Sequence, residues 1–413
     1  MPKIQKRLRI LVVSSDTFPP TRVDVAVLFG VELAARGHEI DWILQSEAAC
    51  ARAYVTQWGS GRVWVGATDL GRSLLSRIKK HVLGIANDCR LFSRLRRGRY
   101  DAVEVKDKFL SGIFAVIASR LFRTPFIYWL SYPFPEHYLL CARDGTARYP
   151  LLYRIRGAVF KILLYRLLLP AADHVFVQSE QMRTDIGKEG IPKNKMTAVP
   201  MGVNAELCNA AELSQDRKVL AAGVPSVLYL GTLSKLRRLD FLIRAFARVR
   251  TFEPAARLYI VGRGDDPTDE LFLEAEVSRL NLRSSVVFLG HLPQAEALRF
   301  VREADVCVSP FYPTAILQST SPTKLVEYMA MGKAVVANDH PEQKRVIEES
   351  GAGYCVPYEE HPFAEAIVKL LKDPEAAQSM GQRGRRYVLE HRTYGTIAAA
   401  VEKQLLDIAK PTC

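Results

Sequence analysis

Short apolar runs alternate with helical patterns along the whole chain. The runs at 10–13 and 258–261 are continuously apolar and rich in β-branched residues, which favours parallel strands buried on both faces. Strands that alternate with helices predict right-handed βαβ units and doubly wound sheets. The other runs that we predict to be strands are 40–44, 63–65, 101–105, 126–129, 174–178, 197–199, 227–230, 286–289, 305–308 and 334–337.

The order of these runs predicts two α/β domains, each with its own parallel sheet. The join lies near 199–204, where a strand ends in turn residues and a polar, alanine-rich stretch follows over 205–223. We expect a first domain over 1–203 and a second domain that begins at 204. Residues 375–408 read as two helices with no strand after them.

Composition narrows the class of protein. The chain has 413 residues, 48% apolar and 24% charged, with a mean hydropathy of −0.01, which excludes disordered, collagen-like and small disulfide-rich classes. No uncharged apolar run reaches the roughly 20 residues of a membrane span, and the first one is too short for a signal peptide. The seven cysteines are scattered without a CxxC spacing, so we expect reduced cysteines in a cytoplasm and no zinc site.

The positive charge is concentrated in one half of the chain. The formal net charge is +13, and residues 1–200 alone carry 31 basic against 17 acidic side chains. Residues 51–100 carry 11 basic against 2 acidic side chains. A basic face of this kind can meet nucleic acid, anionic lipid or a phosphorylated acceptor.

Loops that follow strands hold the candidate chemistry, because ligands of open α/β sheets bind where strands end. The first such loop contains Asp16, Pro20 and Arg22 and precedes a predicted helix over 25–36. A helix start beside an arginine can hold an anion, and a plain proline-rich turn is the alternative. Neither GxGxxG nor GxxxxGK[ST] is present, so a dinucleotide fingerprint or a P-loop is not indicated.

Two loops of the second domain combine glycine with charge. The loop after 227–230 carries three cations, Lys235, Arg237 and Arg238, which can hold a diphosphate or form a solvated basic turn. The next loop begins with Gly262, and glycine permits close approach of a ligand to the backbone. We interpret Asp265 and Asp266 as turn and helix-cap residues rather than metal ligands.

The segment 319–336 is the most informative part of the chain. Ser321 is a residue type favoured at a helix N-cap, and Pro322 fits the first helical position. Lys324 and Glu327 lie three residues apart and share one helical face. The helix start offers positive potential to a phosphate, and the carboxylate can accept hydrogen bonds from a ribose diol. A surface ion pair is the alternative interpretation.

Together these motifs resemble the retaining glycosyltransferases of family 4, which have the GT-B fold. The most specific segment is SPTKLVEYMAMGKAVVAND at 321–339, which is similar to the end of the family's Glu-x7-Glu motif and the stretch after it. Other similar segments are FPPTRVD, HVFVQSEQMRTDI, VPMGVN, LYLGTLSKLRRLDFLIRAF, LYIVGRG, VVFLGHLP and ADVCVSP, so the resemblance covers nearly the whole chain.

This resemblance implies two Rossmann-like domains that face a cleft. The domain at 1–203 would bind the acceptor, the domain at 204–390 would bind the nucleotide-sugar, and a helix within 391–413 would cross back to the first domain. Three residues would carry catalysis: Glu327 by binding the donor ribose, and Arg237 and Lys324 by neutralising the diphosphate. The remaining donor-side positions are Thr232, Lys235, Gly262, His291, Leu292, Ser319, Ser321 and Thr323.

The chain departs from the family pattern at several positions. Ser319 stands where the first glutamate of the Glu-x7-Glu motif belongs, and Thr232 stands where the family usually has an arginine. Lys235 or Arg238 can substitute for that arginine. On the acceptor side, Arg22 falls near a missing glycine pair, and the histidine common in the family would fall near Ser131, just before Glu136. The expected acceptor and first-loop residues are Pro20, Arg22, Asp107 and Glu136.

We therefore expect a transferase that moves a hexose-type sugar from a UDP- or GDP-linked donor, with retention, to a glycan, lipid-linked or small-molecule acceptor. No metal and no cofactor is expected beyond the nucleotide-sugar co-substrate. The acceptor proton can pass to Asp16, Asp107 or Glu136, or to the leaving phosphate. A catalytically degenerate scaffold of the same fold and a nucleotide-sugar epimerase are the alternatives.

The basic first half suggests a place for such an enzyme. Residues 72–99 and 148–169 combine cations with apolar bulk, a pattern typical of an interfacial helix, although core helices beside a basic surface are the alternative. We expect a cytoplasmic protein with an anionic membrane surface as a possible partner. Nucleic acid is not expected as a partner, because no motif of a known reading module is present.

Overall fold

The computed structural model describes residues 6–71, 73–213, 219–264 and 266–409. The chain divides into two compact units, a first unit of Met1–Pro200 with Tyr394–Cys413 and a second unit of Met201–Thr393. The chain passes from one unit to the other after Pro200 and after Thr393. Each of these points lies within a few residues of a boundary expected from the sequence. Arg72 and Asp265 of the segments discussed above lie outside the described residues.

An eight-stranded sheet, ordered β3-β4-β2-β1-β5-β6-β7-β8, forms the centre of the first unit. All neighbours pair in parallel except β3 and β4. The sequence did not predict β3, because this antiparallel edge strand is mostly exposed and has no apolar run. The strands are β1 (Arg9–Phe18), β2 (Glu39–Ser46), β3 (Tyr54–Trp58), β4 (Gly61–Gly66), β5 (Ala102–Lys106), β6 (Phe126–Leu130), β7 (His174–Val177) and β8 (Met196–Ala198).

Helices cover both faces of this sheet, each over its own apolar cluster. The helices up to Pro200 are α1 (Val23–Ala26), α2 (Leu74–Asp88), α3 (Arg90–Arg97), α4 (Phe109–Phe122), α5 (Phe134–Arg143), α6 (Pro150–Ile162), α7 (Leu169–Ala171) and α8 (Glu180–Lys188), with π-helical segments at Leu28–Leu33 and Leu163–Leu168 and a 3-10 turn at Lys193–Lys195. The helix predicted over 25–36 is instead a short α1 followed by the first π-helical segment. Gly30 in that segment has no side chain, and the ring of Trp58 occupies the space.

The last described helix of the chain, α18 (Tyr394–Ile408), belongs to the first unit. Its apolar face packs in the same cluster as the π-helical segment Leu28–Leu33. Glu402 on this helix is buried, and its carboxylate lies 2.9 Å from both His38 Nε2 and Arg36 Nη1. The helix is therefore held by apolar contact and by a buried polar network.

A six-stranded parallel sheet, ordered β11-β10-β9-β12-β13-β14, forms the centre of the second unit. The sequence did not predict β14, a half-buried edge strand. The strands are β9 (Ser226–Leu230), β10 (Arg257–Val261), β11 (Val286–Gly290), β12 (Val306–Ser309), β13 (Val335–Asn338) and β14 (Gly353–Val356). The helices are α9 (Ala205–Leu213), α10 (Asp240–Phe252), α11 (Pro267–Arg279), α12 (Gln294–Glu303), α13 (Ala315–Gln318), α14 (Thr323–Ala330), α15 (Pro341–Ser350), α16 (Glu360–Lys372) and α17 (Pro374–His391), with a 3-10 turn at Lys235–Arg237.

The linker region and the end of the chain match their predictions in outline. The stretch 205–223 contains α9, and its residues 214–218 lie outside the described part. The two helices expected over 375–408 are α17 and α18. Among the described helices, none combines the length and the apolar character needed to cross a bilayer.

Candidate active site

Glycine loops bring the ends of three neighbouring strands together in the second unit. The backbone N–H of Gly231, just after β9, donates to Val261 O at 2.9 Å, and the N–H of Gly262, just after β10, donates to Gly290 O at 2.8 Å. Gly262 has a φ of +142°, and a Cβ there would collide with the carbonyl of Gly231. The two loops can lie this close together because position 262 is a glycine.

Lys324 lies beneath these loops, and its amino group is almost fully shielded from water. Its side chain is buried, and Nζ donates to Tyr229 Oη at 2.9 Å. The same Nζ lies 4.2 Å from the ring centroid of Tyr229 and 4.7 Å from that of Phe311. Burial and the nearby Arg237 lower the pKa of Lys324 well below its usual range. An anion placed here would therefore bring back the protonated form.

Arg237 approaches the same aromatic ring. Its guanidinium carbon lies 5.1 Å from the centroid of Phe311, a distance typical of a cation–π contact. Within the described ranges, no carboxylate lies at ion-pair distance from either Arg237 or Lys324. Two basic side chains beside one ring, with no carboxylate of the described residues at ion-pair distance, favour the binding of an anion here.

Glu327 lies one turn further along α14. Its Oε1 accepts a hydrogen bond from Gln294 Nε2 at 2.8 Å. Burial raises the pKa of Glu327, and the bond from Gln294 together with the charge of Lys324 only partly opposes that effect. Gln294 is exposed at the start of α12, the first residue of the helix that follows β11. The carboxylate is thus held in place by a neutral donor and keeps acceptor capacity.

In the first unit, a buried lysine gathers three carboxylates at the carboxyl end of β5. Lys106 Nζ lies 3.3 Å from Asp107, 3.5 Å from Asp16 and 3.5 Å from Asp24. Arg22 makes two hydrogen bonds to Asp24, at 3.1 and 2.9 Å. Burial alone would raise the pKa of Asp24, but Lys106 and Arg22 outweigh it and lower that pKa. Likewise the carboxylates outweigh burial and raise the pKa of Lys106.

Asp107 is fixed from the opposite side by Ser131. The Ser131 backbone N–H donates to Asp107 Oδ1 at 2.9 Å, and the Ser131 hydroxyl donates to Oδ2. Asp107 has a φ of +57°, a left-handed conformation that is uncommon for a residue other than glycine. Such backbone strain persists only where the surrounding structure holds it, which here means the bonds from Ser131 and the charge of Lys106.

Glu104, two residues before Lys106 on the same strand, is fully buried. Neither of its carboxylate oxygens has a hydrogen-bond partner within the described part of the chain. Burial raises the pKa of Glu104 to about 8, with only partial opposition from Lys106. The side chain is therefore mostly protonated at neutral pH.

Comparison with known families covers most of both units. Residues 224–373 match the family described as "Glycosyl transferases group 1", and residues 25–202 match the family described as "Glycosyl transferase 4-like domain". The chain belongs to the family 4 glycosyltransferases. The resemblance stated from the motifs is thereby confirmed.

Curated relatives of this glycosyltransferase chain include two synthases. It is 27% identical over 262 residues to the alpha-maltose-1-phosphate synthase of Mycolicibacterium smegmatis, an alignment that covers 59% of this chain and 64% of that protein. It is 24% identical over 278 residues to the alpha-monoglucosyldiacylglycerol synthase of Streptococcus pneumoniae, covering 66% of this chain and 59% of that protein. The chain thus spans about three fifths of the length of these relatives.

Two solved structures share the fold over nearly the whole chain. The sucrose-phosphate synthase from Thermosynechococcus elongatus aligns with a TM-score of 0.72 at 20% identity, covering 97% of this chain and 99% of that one. The Anabaena protein Alr3699/HepE in complex with UDP aligns with a TM-score of 0.68 at 17% identity, covering 97% and 100%. The expected GT-B architecture of two parallel-sheet α/β domains is confirmed.

Of the three loop cations predicted in this glycosyltransferase, only Arg237 reaches Lys324. Lys235 Nζ instead donates to Thr268 Oγ1 at 2.9 Å, and Arg238 Nε lies 3.3 Å from Asp240 Oδ1. Both side chains are therefore paired with neighbouring residues, Lys235 with Thr268 and Arg238 with Asp240. Thr232 itself is exposed, and its carbonyl accepts a hydrogen bond from the hydroxyl of the buried tyrosine beneath the loop.

The start of α14 differs from its prediction by one residue. We predicted Ser321 as the N-cap and Pro322 as the first helical residue, but Pro322 is the N-cap and α14 begins at Thr323. The hydroxyl of Ser321 is engaged elsewhere, because it accepts a hydrogen bond from the backbone N–H of Met201 at 3.0 Å. Ser319 is buried at the end of α13.

The remaining predicted site residues lie apart from these two clusters of side chains. His291 is exposed and Leu292 half-buried, directly after β11. Pro20 is buried in the first loop. Glu136 is not paired with Asp107 within the described residues, and burial raises the pKa of its carboxyl.

Several residues of these clusters were not found from the sequence. Tyr229 and Phe311 lie in apolar stretches and read as core, and Gln294 has no distinguishing pattern. Lys106 was overlooked because it ends a buried strand, although a lysine in such a run is itself an unusual signal. Within the described residues, no group of three or more His, Cys, Asp or Glu side chains is arranged to hold a metal ion.

Proposed function

We propose that this chain transfers a hexose-type sugar from a UDP- or GDP-linked donor to a glycan, lipid-linked or small-molecule acceptor, with retention of configuration. The setting would be polysaccharide or glycoconjugate biosynthesis. The observation that supports the proposal best is the pair of basic side chains, Arg237 and Lys324, which lie 5.1 and 4.7 Å from the centroid of the Phe311 ring, with Glu327 one helical turn from Lys324.

Charge on the leaving group is what these cations would stabilise. In the reaction, the bond between the sugar C1 and the diphosphate oxygen breaks, and the nucleoside diphosphate leaves with the bonding electrons. A bond forms between C1 and the acceptor oxygen, and the acceptor loses its proton. Arg237 and Lys324 would stabilise the developing negative charge in a site screened from water, where such electrostatic effects are strongest.

Glu327 would bind the ribose of the donor. A carboxylate that already accepts one bond from Gln294 keeps further lone pairs for a diol. Gly262 and Gly231 would let the donor approach the backbone of both loops. We propose no metal and no cofactor for this step, because the two cations supply the charge that a metal ion would otherwise provide.

The acceptor proton would pass to the leaving diphosphate. Both oxygens of Asp107 accept hydrogen bonds from Ser131, and Asp16 and Asp107 both face Lys106. The oxygens that would take the acceptor proton are therefore already engaged by other groups. The cluster around Lys106 would instead fix the conformation of the first loop. Arg22, the most exposed member of the cluster, would face the acceptor.

A thermal-shift panel with UDP, GDP, ADP and NAD tests the donor proposal. A ligand at one hundred times its dissociation constant adds roughly 2.7 kcal/mol to the unfolding free energy. We expect UDP or GDP to stabilise the native chain and to lose that effect in Glu327→Ala. Glu348→Ala, which removes an exposed carboxylate of the same unit, is the matched control and should keep it.

Three outcomes would contradict the proposal. Stabilisation by NAD alone would point to a dinucleotide enzyme, and stabilisation by none of the four nucleotides would favour a degenerate scaffold. Equal loss of the shift in both variants would show that Glu327 has no special role. Transfer from the stabilising nucleotide's sugar conjugate, measured with and without EDTA, then tests the metal-independent step.

A further inference from the structure

Helix α6 turns an apolar stripe toward solvent. Gly157 is the one buried residue of its thirteen. Five large apolar side chains on this helix are between 52% and 70% exposed, namely Leu151, Leu152, Ile155, Val159 and Ile162. Their spacing places them along one side of the helix, so the stripe is continuous. Helices of globular proteins normally turn such a stripe inward, and contiguous exposed apolar area of this kind marks an interaction surface.

Arginines lie on both sides of this stripe. Arg154 and Arg156 are both exposed, and helical spacing places them at opposite borders of the stripe rather than on one flank. Arg156 also lies over the ring of Tyr138 on α5, 4.3 Å from its centroid, which fixes its position next to the apolar residues. The helix contains no acidic residue.

Helix α2 repeats the arrangement. Leu75, Ile78, Val82 and Ile85 recur at helical spacing and are all exposed, Leu75 to 78%. The same helix exposes the cations Arg77, Lys79 and Lys80, of which Lys79 is paired with Asp69 at 3.5 Å. The acidic residue of α2, Asp88, is buried and already binds Lys108 at 2.7 Å, so it offers no negative charge at the surface.

Both helices belong to the layer on one face of the first sheet. The residues that this layer buries, from α3, α4 and the second π-helical segment, form a single apolar cluster. Helix α4 between them exposes further apolar side chains on its outer side, Leu110, Ile117 and Leu121. Exposed apolar side chains thus lie on three helices of this layer, and cations flank those of α2 and α6.

We propose that the outer surface of α2 and α6 docks on an anionic lipid bilayer, with the two stripes in the interface and the flanking cations at the headgroups. A helix with an apolar face and basic borders is suited to this position, and the cations are attracted to a negatively charged leaflet. A second copy of the chain fits poorly, because self-contact would bring arginines and lysines against their own kind. The proposal goes beyond the transferase reaction and does not depend on it.

Flotation with lipid vesicles, in the absence of nucleotide, tests the docking. The full chain is mixed with phosphatidylcholine vesicles or with vesicles that also contain phosphatidylglycerol, at low and at high salt. We expect binding to the anionic vesicles at low salt, weaker binding at high salt, and little binding to phosphatidylcholine alone. Equal binding to both compositions, or no binding to either, would overturn the proposal.

Two variants distinguish the stripe from the charge. Leu151→Glu with Ile155→Glu should weaken binding by about tenfold or more, because it places charge in the apolar interface. Arg77→Gln with Lys80→Gln should weaken binding and make it less sensitive to salt. All four side chains are exposed, so circular dichroism should show an unchanged fold.

Leu271→Glu is the matched control, since Leu271 is 61% exposed on α11 of the second unit. The control should bind vesicles as the unmodified chain does, and an equal loss there would refute the assignment to α2 and α6. Sedimentation velocity is run alongside. An oligomer of the unmodified chain that dissociates in the Leu151→Glu, Ile155→Glu variant, without vesicle binding by either, would assign the surface to a second copy and overturn the proposal.

Discussion

Replacement of Glu104 by glutamine should remove a large part of the pH dependence of the first unit's stability. In the folded chain, burial raises the pKa of this carboxyl to about 8, whereas its ordinary value is 4.5. Between these two values the folded state keeps a proton that the unfolded state has lost. The unfolding free energy therefore falls as pH rises through this window.

The size of the effect follows from the same two values. At about 1.4 kcal/mol per pKa unit, the full loss between low and high pH is about 5 kcal/mol. Between pH 5 and pH 8 the loss amounts to about 3.5 kcal/mol. Glutamine is uncharged in both states and has no such slope. A constant offset, such as the cost of burying the amide, cancels when the two pH values are compared.

Urea unfolding of the native chain and Glu104→Gln across this pH range measures the difference. All four tryptophans of the chain lie in the first unit, so their fluorescence reports on the unit that contains Glu104. We expect the variant to gain stability relative to the native chain as pH rises. Glu47→Gln, at an exposed position, is the control and should follow the native curve. A difference between Glu104→Gln and the native chain that stays constant across pH would refute the reasoning.

Three further predictions concern the two clusters. Binding of the stabilising nucleotide should be accompanied by uptake of a proton at Lys324, because burial lowers the pKa of this lysine in the free chain. The affinity for the nucleotide should therefore fall as pH rises. Calorimetry in two buffers measures the proton uptake, and Lys324→Met should abolish it. Gly262→Ala should lower the unfolding free energy by about 2 kcal/mol or more and weaken nucleotide binding, because the new Cβ meets the Gly231 carbonyl. Circular dichroism in urea measures the unfolding free energy, and thermal shift measures nucleotide binding. Unchanged values in both assays would contradict the prediction. Lys106→Met should cost about 3–5 kcal/mol at neutral pH, since it leaves three buried carboxylates without the lysine charge. The loss should shrink in acid, because Lys106 lowers the pKa of Asp24 in the native chain and the variant lacks that effect. Tryptophan fluorescence in urea measures both, and a loss independent of pH would contradict the charge argument.

Strand prediction succeeded wherever burial on both faces left a continuous apolar run. All twelve predicted strands are present in the structure. The two strands that were missed, β3 and β14, are edge strands with exposed or half-buried side chains. An edge strand is defined by its pairing with a neighbour, and pairing leaves little trace in composition.

The candidate site divides in a similar way. The sequence singled out Arg237, Lys324 and Glu327 because each lies in a local pattern, a loop after a strand or a helix start. The hydrogen bond from Lys235 to Thr268 could not be predicted from the sequence, because it depends on how the loop packs against α11. The hydroxyl of Ser321 likewise accepts a hydrogen bond from a backbone N–H that lies 120 residues away in the chain.

The sequence by itself therefore determined the alternation of strands and helices, the division into two parallel sheets, the family, and the loops in which charge accumulates. These are properties of neighbours along the chain, and local propensity and hydrophobic period encode them directly. Only the tertiary structure decided that Tyr229 and Phe311 lie against Lys324, that Lys106 gathers three aspartates, and that α2 and α6 face outward. Those facts depend on which distant segments come into contact, and burial, charge and pKa follow from that contact rather than from any single stretch of sequence.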